Sequence, residues 1–259
     1  MPTDEASSFA RGSAAGPEAI RAALYSEASS QNTESGVDLA SERRFSDLGD
    51  LALTGGDETR EEIEREVGDQ LANRNNLICL GGDHSVAFPI LSAYSKRVPN
   101  LTVVQIDAHP DLYDSFDGDR YSHACPFARV METGRVQRLV QIGIRSANQH
   151  QREQVERFGV EIVPRQRWLD LETLQLKTPV YLSIDLDGID PAFAPGVSHL
   201  EPGGLTTREV LEIVGQVPGL VGADVVELNP SRDVGGITAA LAAKLVKELA
   251  SRILEGQTK

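Results

Sequence analysis

Basic residues are scarce in this sequence. Lys and Arg number 25 against 39 Asp and Glu, for a formal charge of −14. That balance argues against a nucleic-acid surface, because phosphate binding needs cationic side chains in excess. It suits a protein that attracts cations, whether metal ions or cationic substrates. Long apolar runs are also missing. None approaches the roughly eighteen residues of a membrane span, and no basic stretch leads into an apolar run near the N-terminus, so neither a span nor a secretory signal is expected. Cysteine is rarer still. Cys79 and Cys125 lie in or beside apolar stretches and read as two reduced thiols of a cytoplasmic protein. No repeat, low-complexity tract or linker divides the 259 residues, so the chain reads as a single domain spanning 1–259.

Short apolar runs alternate with longer segments of helical period. The runs Asn76–Leu80, Leu101–Asp107, Arg138–Ile144, Val160–Val163, Val180–Asp185 and Gly222–Leu228 are rich in Val, Ile and Leu. Near-continuous apolar character at that length predicts strands buried on both faces. Helices are predicted over Pro17–Ser26, Glu58–Asn73, Thr206–Val217 and Ile237–Leu254. Thr206 with Glu209 three residues on has the spacing of a capping box. The alternation predicts an α/β fold, a doubly wound parallel sheet with helices on both faces. Such a sheet holds its ligand at the carboxyl ends of its strands.

Acids and histidines collect at those ends. Gly81-Gly82-Asp83-His84-Ser85 follows the first run, Asp107-Ala108-His109-Pro110-Asp111 the second, Asp185-Leu186-Asp187 closes the fifth, and Glu227 ends the sixth. Crowded buried carboxylates repel one another unless cations pair with them. The alternating D-x-H-x-D and D-x-D spacing points side chains to one side of an extended segment. His84, Asp107, His109, Asp111, Asp185 and Asp187 are therefore the candidate ligands of a metal pair. A set of oxygen and imidazole donors suits Mn²⁺ ahead of Fe²⁺, Co²⁺, Ni²⁺ or Zn²⁺, and the lack of thiolate argues against a structural zinc. Taken singly, GGDHS also reads as a turn and helix cap, and each Asp pair as a helix cap. His150 and His199 read as surface residues or as neighbours of the site.

At these residues the sequence resembles the ureohydrolases, the arginase and agmatinase family. GGDHS, DAHPD and SIDLDGIDPAFAPG stand in the family's order, and the resemblance runs from Ser7-Ser8-Phe9 to the last helix. Tyr121–Ala124, Phe127–Glu132 and Pro195–Gly204 look most like the plant-type branch. The resemblance implies two Mn²⁺ per subunit, one on His84 and Asp111, the other on His109 and Asp187, with Asp107 and Asp185 bridging. It implies hydrolysis of a small cationic guanidino compound to urea and an amine, with Asp111 orienting the attacking hydroxide. His123 would shuttle a proton to the leaving amine, and Glu227 would pair with the guanidinium. It also implies a homo-oligomer, trimer or hexamer. Family members usually carry a strand ahead of the segment matching Pro2–Ser13, so either the start codon is assigned late or the sheet lacks an edge strand. Asn148 stands where animal-type arginases place an acid for the amino-acid end of arginine, making it a candidate substrate contact. Agmatine, which lacks a carboxylate there, is the expected substrate, with arginine or another guanidino compound as the alternative. Outside this class stand a non-catalytic metal- or polyamine-binding homologue and a metal-dependent deacylase.

Overall fold

A computed structural model describes residues 1–256. Six strands form one parallel sheet: β1 (Leu77–Leu80), β2 (Thr102–Ile106), β3 (Arg138–Ile142), β4 (Glu161–Val163), β5 (Val180–Asp185) and β6 (Leu220–Val226). Their order is β1-β6-β5-β2-β3-β4. Every expected strand is present, trimmed or shifted by a few residues. The chain starts at one edge and returns beside it with β6, so the interior is β6-β5-β2-β3.

Among the described residues seven α-helices cover the sheet: α1 (Gly16–Leu24), α2 (Glu58–Ala72), α3 (Ala87–Arg97), α4 (Pro126–Glu132), α5 (Gln149–Phe158), α6 (Thr207–Gln216) and α7 (Ile237–Gly256). Apolar residues of α1, α6 and α7 pack on one face with Val104, Ile106, Val140, Ile142, Leu182, Ile184 and Val225. Residues of α2 to α5 pack on the other face with Val103, Leu139 and Tyr181. The Thr206–Glu209 capping box forms as expected. Helices α3, α4 and α5 were not expected from the pattern. Helix α3 is buried on almost every side from Ala87 to Tyr94 and lacks an amphipathic stripe, α4 has only seven residues, and α5 is mostly polar. Among the described residues no helix is long and apolar enough to cross a membrane.

A cavity of about 760 Å³ lies along β1, lined by Leu77–Leu80, the loop through Phe45–Leu51 and the end of α7. None of the candidate ligands borders it. The chemistry lies elsewhere, past the carboxyl ends of the strands.

Candidate metal centre

The loop after β1 makes a tight turn in which Asp83 Oδ1 accepts the Ser85 N–H at 3.1 Å, starting a short 3₁₀ turn over His84–Val86. This buries His84 with its Nδ1 3.1 Å from Asp107 Oδ2, 3.0 Å from Asp111 Oδ2 and 3.2 Å from Asp185 Oδ2. Its other nitrogen, Nε2, lies 3.0 Å from Ser183 Oγ, and that hydroxyl donates to Asp224 Oδ1 at 2.7 Å. The Ser183 hydrogen is thus committed to Asp224, so Ser183 accepts from His84 Nε2–H. In the neutral ring Nδ1 then carries a lone pair aimed at three carboxylate oxygens, and it has no hydrogen-bond partner. A buried lone pair facing three anionic oxygens is the donor set of a divalent cation, and the partner on Nε2 fixes the tautomer that a metal needs.

A second group adjoins the first. His109 Nδ1 lies 3.0 Å from Asp187 Oδ2 and 3.6 Å from Asp107 Oδ1. Ligand atoms of His84, Asp107, Asp111 and Asp185 fall within 4.8 Å of one another, as do those of Asp107, His109 and Asp187. All six expected ligands therefore come together in two groups, and Asp107 belongs to both. Asp185 joins only the first group, and its Oδ1 accepts the Asp187 N–H at 2.8 Å.

The backbone reaches this arrangement by a different route from alternation along extended segments. Strand β2 ends at Ile106, before the first aspartate, and Asp111 has a φ of 51°. Asp187 sits in a 3₁₀ turn over Leu186–Gly188. The clustered acids brace these turns. His109 N–H donates to Asp107 Oδ1 at 2.6 Å, and Ala108 N–H to Asp187 Oδ1 at 3.1 Å. At Gly188 a Cβ would lie 2.8 Å from Asp107 N, so the two loops touch backbone to backbone. Glu227, at the end of β6, also has a positive φ, 66°. Left-handed backbone at two non-glycine residues of one site marks a geometry that the surroundings enforce.

Without cations the cluster is electrostatically frustrated. Burial, then the charge of Asp107, pushes Asp111 up to about 7, and burial with Asp187 and Asp107 holds Asp185 well above the usual carboxylate range. Asp107 goes the other way despite burial, held low by His109 and His84. Burial opposes charge on His109 as well, yet Asp107 and Asp187 push it up to about 12. Protons on these groups stand in for the charge that metal ions would bring.

One layer beneath the cluster runs a polar row that strand-by-strand reading of the sequence missed. Cys79, Asp224, Ser183, Gln105 and Gln141 are register partners across β1-β6-β5-β2-β3. The last four are fully buried. Gln105 Nε2 donates to Asp107 Oδ2 at 2.7 Å, and Gln141 Nε2 donates to Gln105 Oε1 at 2.6 Å. Carboxylates only accept, so the direction of this amide chain is set by its end. Tyr181 Oη donates to Asp224 Oδ2 at 2.8 Å. The signal was available as single polar residues at matching depths in otherwise apolar strands.

The remaining expected residues are placed as follows. His123 Nδ1 lies 2.9 Å from Glu227 Oε1, and His84 N–H donates to the same oxygen at 2.9 Å. Burial opposes charge on His123, but Glu227 pushes it up to about 9. Among the described residues Glu227 Oε2 has no hydrogen bond, so it is free for a cationic ligand. Asn148 is exposed and caps α5, its Oδ1 accepting Gln151 N–H at 2.9 Å and its Nδ2 donating to Tyr113 Oη at 2.7 Å. His150 stacks on Tyr113. His199 has its ring 5.4 Å from that of His123 and 5.9 Å from that of His109, at the mouth of the site.

The model of the arginase family matches residues 1–251. The chain belongs to that family. It is 45% identical over 273 aligned residues to Arginase 1, mitochondrial, of Arabidopsis thaliana, covering 98% of this chain and 79% of that one. Against the agmatinase of Bacillus cereus the identity is 33%, over 96% of this chain and 88% of that one. Among solved structures, the arginase from Medicago truncatula superposes with a TM-score of 0.88 at 41% identity, covering 97% of this chain and 85% of that one. The family resemblance and the arginase fold are thus established, and the chain is a hydrolase of this family. The cytoplasmic placement expected from two reduced thiols does not stand. Plant arginases matched at 42–45% identity are named as mitochondrial, or as chloroplastic and mitochondrial. Both cysteines are indeed free and buried, but free thiols separate reducing from oxidising surroundings, not cytoplasm from organelle.

Proposed function

We propose that the protein is a two-metal arginase that hydrolyses arginine to urea and ornithine. The observation that carries the two-metal part is His84 Nδ1, a buried lone pair without a partner that faces Asp107, Asp111 and Asp185. In this reading His84, Asp111 and Asp185 would hold one cation and His109 and Asp187 the other, with Asp107 common to both groups. Two such ions, Mn²⁺ for this oxygen and imidazole set, would supply hydroxide at neutral pH when bound. Arginine is favoured over agmatine by the identity of 45% to a plant arginase against 33% to an agmatinase. That reverses the preference drawn from Asn148 alone.

The chain's own residues then divide the work. Glu227 Oε2 accepts from the guanidinium, while Oε1 stays anchored to His84 N–H and His123. Asp111 orients the attacking oxygen, and its strained backbone holds the carboxylate against His84. His123 protonates the leaving nitrogen, the step in which a positioned imidazole contributes most. Asn148 meets the far end of the substrate with the one amide hydrogen that Tyr113 leaves free. Assembly into a trimer or hexamer belongs to the same reading, and light scattering would measure it.

The test is urea release by Mn²⁺-loaded protein from arginine, agmatine, guanidinobutyrate and guanidine. Arginine is expected to give the highest kcat/KM. Urea from agmatine alone would reject the substrate assignment, and no urea from any of the four would reject the reaction.

A further inference from the structure

Residues 3 to 12 cross the mouth of the site as an irregular strap. Thr3 O accepts Asp83 N–H at 3.0 Å. A Cβ on Gly82 would lie 1.7 Å from that carbonyl oxygen, so the turn carries glycine where the strap passes. Ser7 Oγ donates to Asp83 Oδ2 at 3.1 Å, and Ala6 O accepts His123 N–H at 3.1 Å. Ala10 O accepts from Ser198 Oγ and from Asn229 Nδ2, each at 2.8 Å. The strap is therefore tied to the loops after β1, β2, β5 and β6, the four that build the site.

Ser8 faces His123 from within this strap. Its N–H lies 3.2 Å and its Oγ 2.8 Å from His123 Nε2. The hydrogen-bond partners assign the tautomer. A carboxylate only accepts, so Nδ1 carries the hydrogen that goes to Glu227. A backbone N–H only donates, so Nε2 is the acceptor. His123 is buried, and both of its ring nitrogens have partners. Ser8 is exposed, and its hydroxyl both donates and accepts.

We propose that Ser8 is a positioning residue that holds His123 in its Nδ1–H form and relays protons between Nε2 and solvent. The proposal rests on the amidinohydrolase reading for the use of that proton. A proton passes from Ser8 Oγ–H to Nε2, and Oγ takes one back from solvent. The imidazolium then releases its Nδ1 proton on the Glu227 side, where the leaving nitrogen is held, and becomes the Nε2–H form. Passage of one proton in the reverse sense, in at Nδ1 and out from Nε2 through Oγ, restores the starting tautomer. No atom other than hydrogen moves, and the ring is unchanged over the cycle.

The test compares Ser8→Ala and Ser8→Thr with the parent, all loaded with Mn²⁺, by urea release from arginine. Ser8→Ala is expected to lower kcat about tenfold with KM within about twofold, a modest share of what a positioned proton donor contributes. Added imidazole should recover kcat in Ser8→Ala, and Ser8→Thr should keep most of it. An unchanged kcat in Ser8→Ala, or a loss that neither threonine nor imidazole repairs, would overturn the relay. A second measurement needs no turnover. Long-range ¹H–¹⁵N spectra of the metal-free protein, recorded at a pH where the ring is neutral, should show His123 as the Nδ1–H form, with an Nε2 signal that moves in Ser8→Ala. An Nε2–H form, or a signal indifferent to Ser8, would overturn the contact itself. If the parent releases no urea while the spectra behave as stated, the reaction assignment fails and the Ser8–His123 geometry stands.

Discussion

The two faces of the central strands follow different rules. Toward α1, α6 and α7 the side chains are Val104, Ile106, Val140, Ile142, Leu182, Ile184 and Val225, a continuous apolar layer. Toward α3 and α4, at the same depth, stand Gln141, Gln105, Ser183 and Asp224, all without solvent exposure. Burying four polar side chains is tolerable only because each finds a partner, and those partners lead upward to Asp107 and His84. One face secures the fold, and the other fixes the direction in which the candidate metal ligands point.

The difference can be broken most severely at the residue both metal groups share. Asp107→Asn should reduce urea formation by roughly a thousandfold or more, since stabilisation by bound cations is worth several kcal/mol. Metal analysis of the purified variant should show that the ions are lost with the activity. A paired substitution then separates the two faces. Ile184→Ala should lower unfolding stability by about 3 kcal/mol through the cavity it leaves, while metal affinity in the folded protein stays close to that of the parent. Its neighbour Ser183→Ala takes a partner from His84 Nε2–H and from Asp224 Oδ1, so it should cost about 1–3 kcal/mol of stability and also weaken metal affinity by about 10–100-fold. Calorimetric titration of both variants reads the contrast, and equal effects on affinity would erase it.

Much of the architecture was legible in the sequence because parallel strands buried on both faces announce themselves as apolar runs. The ligands were legible for a related reason. Asp107, Asp185 and Glu227 end such runs, and the carboxyl ends of parallel strands share one edge. What stayed hidden depends on partners far apart in the chain. Ser8 and His123 are separated by 115 residues, and the polar row exists only once β1, β6, β5, β2 and β3 are set in register. Spacing put Asp111 with the other candidate ligands, and it reaches that cluster through a left-handed backbone that no alternation rule contains. Asn148 was read as a substrate contact, and its capping box with Gln151 went unnoticed because α5 shows little apolar periodicity.

A smaller effect should appear with pH. In the metal-free protein Asp111 rises from 3.8 to about 7 and Asp83 from 3.8 to about 6, each through burial first and a neighbouring acid second. A carboxyl whose folded pKa exceeds its unfolded value stabilises the fold while protonated, and that stability is lost as pH rises through the window between the two. Melting temperature in chelator should therefore fall from about pH 4 to about pH 7, and saturating Mn²⁺ should cancel or reverse the slope. Coincident curves with and without metal would show that Asp111 does not meet the ions. The smallest change is expected at the rim. Asn148→Ala removes a helix cap worth about 1 kcal/mol and the tie to Tyr113, so KM for arginine should rise a few-fold while kcat holds.

The central claim, a metal pair built on Asp107 that acts on arginine, is tested most directly by titrating metal-free protein with Mn²⁺ while following urea release. The account predicts that the rate climbs until two ions are bound per chain and then levels off. A plateau at one ion, or ornithine and urea formed at full rate in chelator, would contradict it.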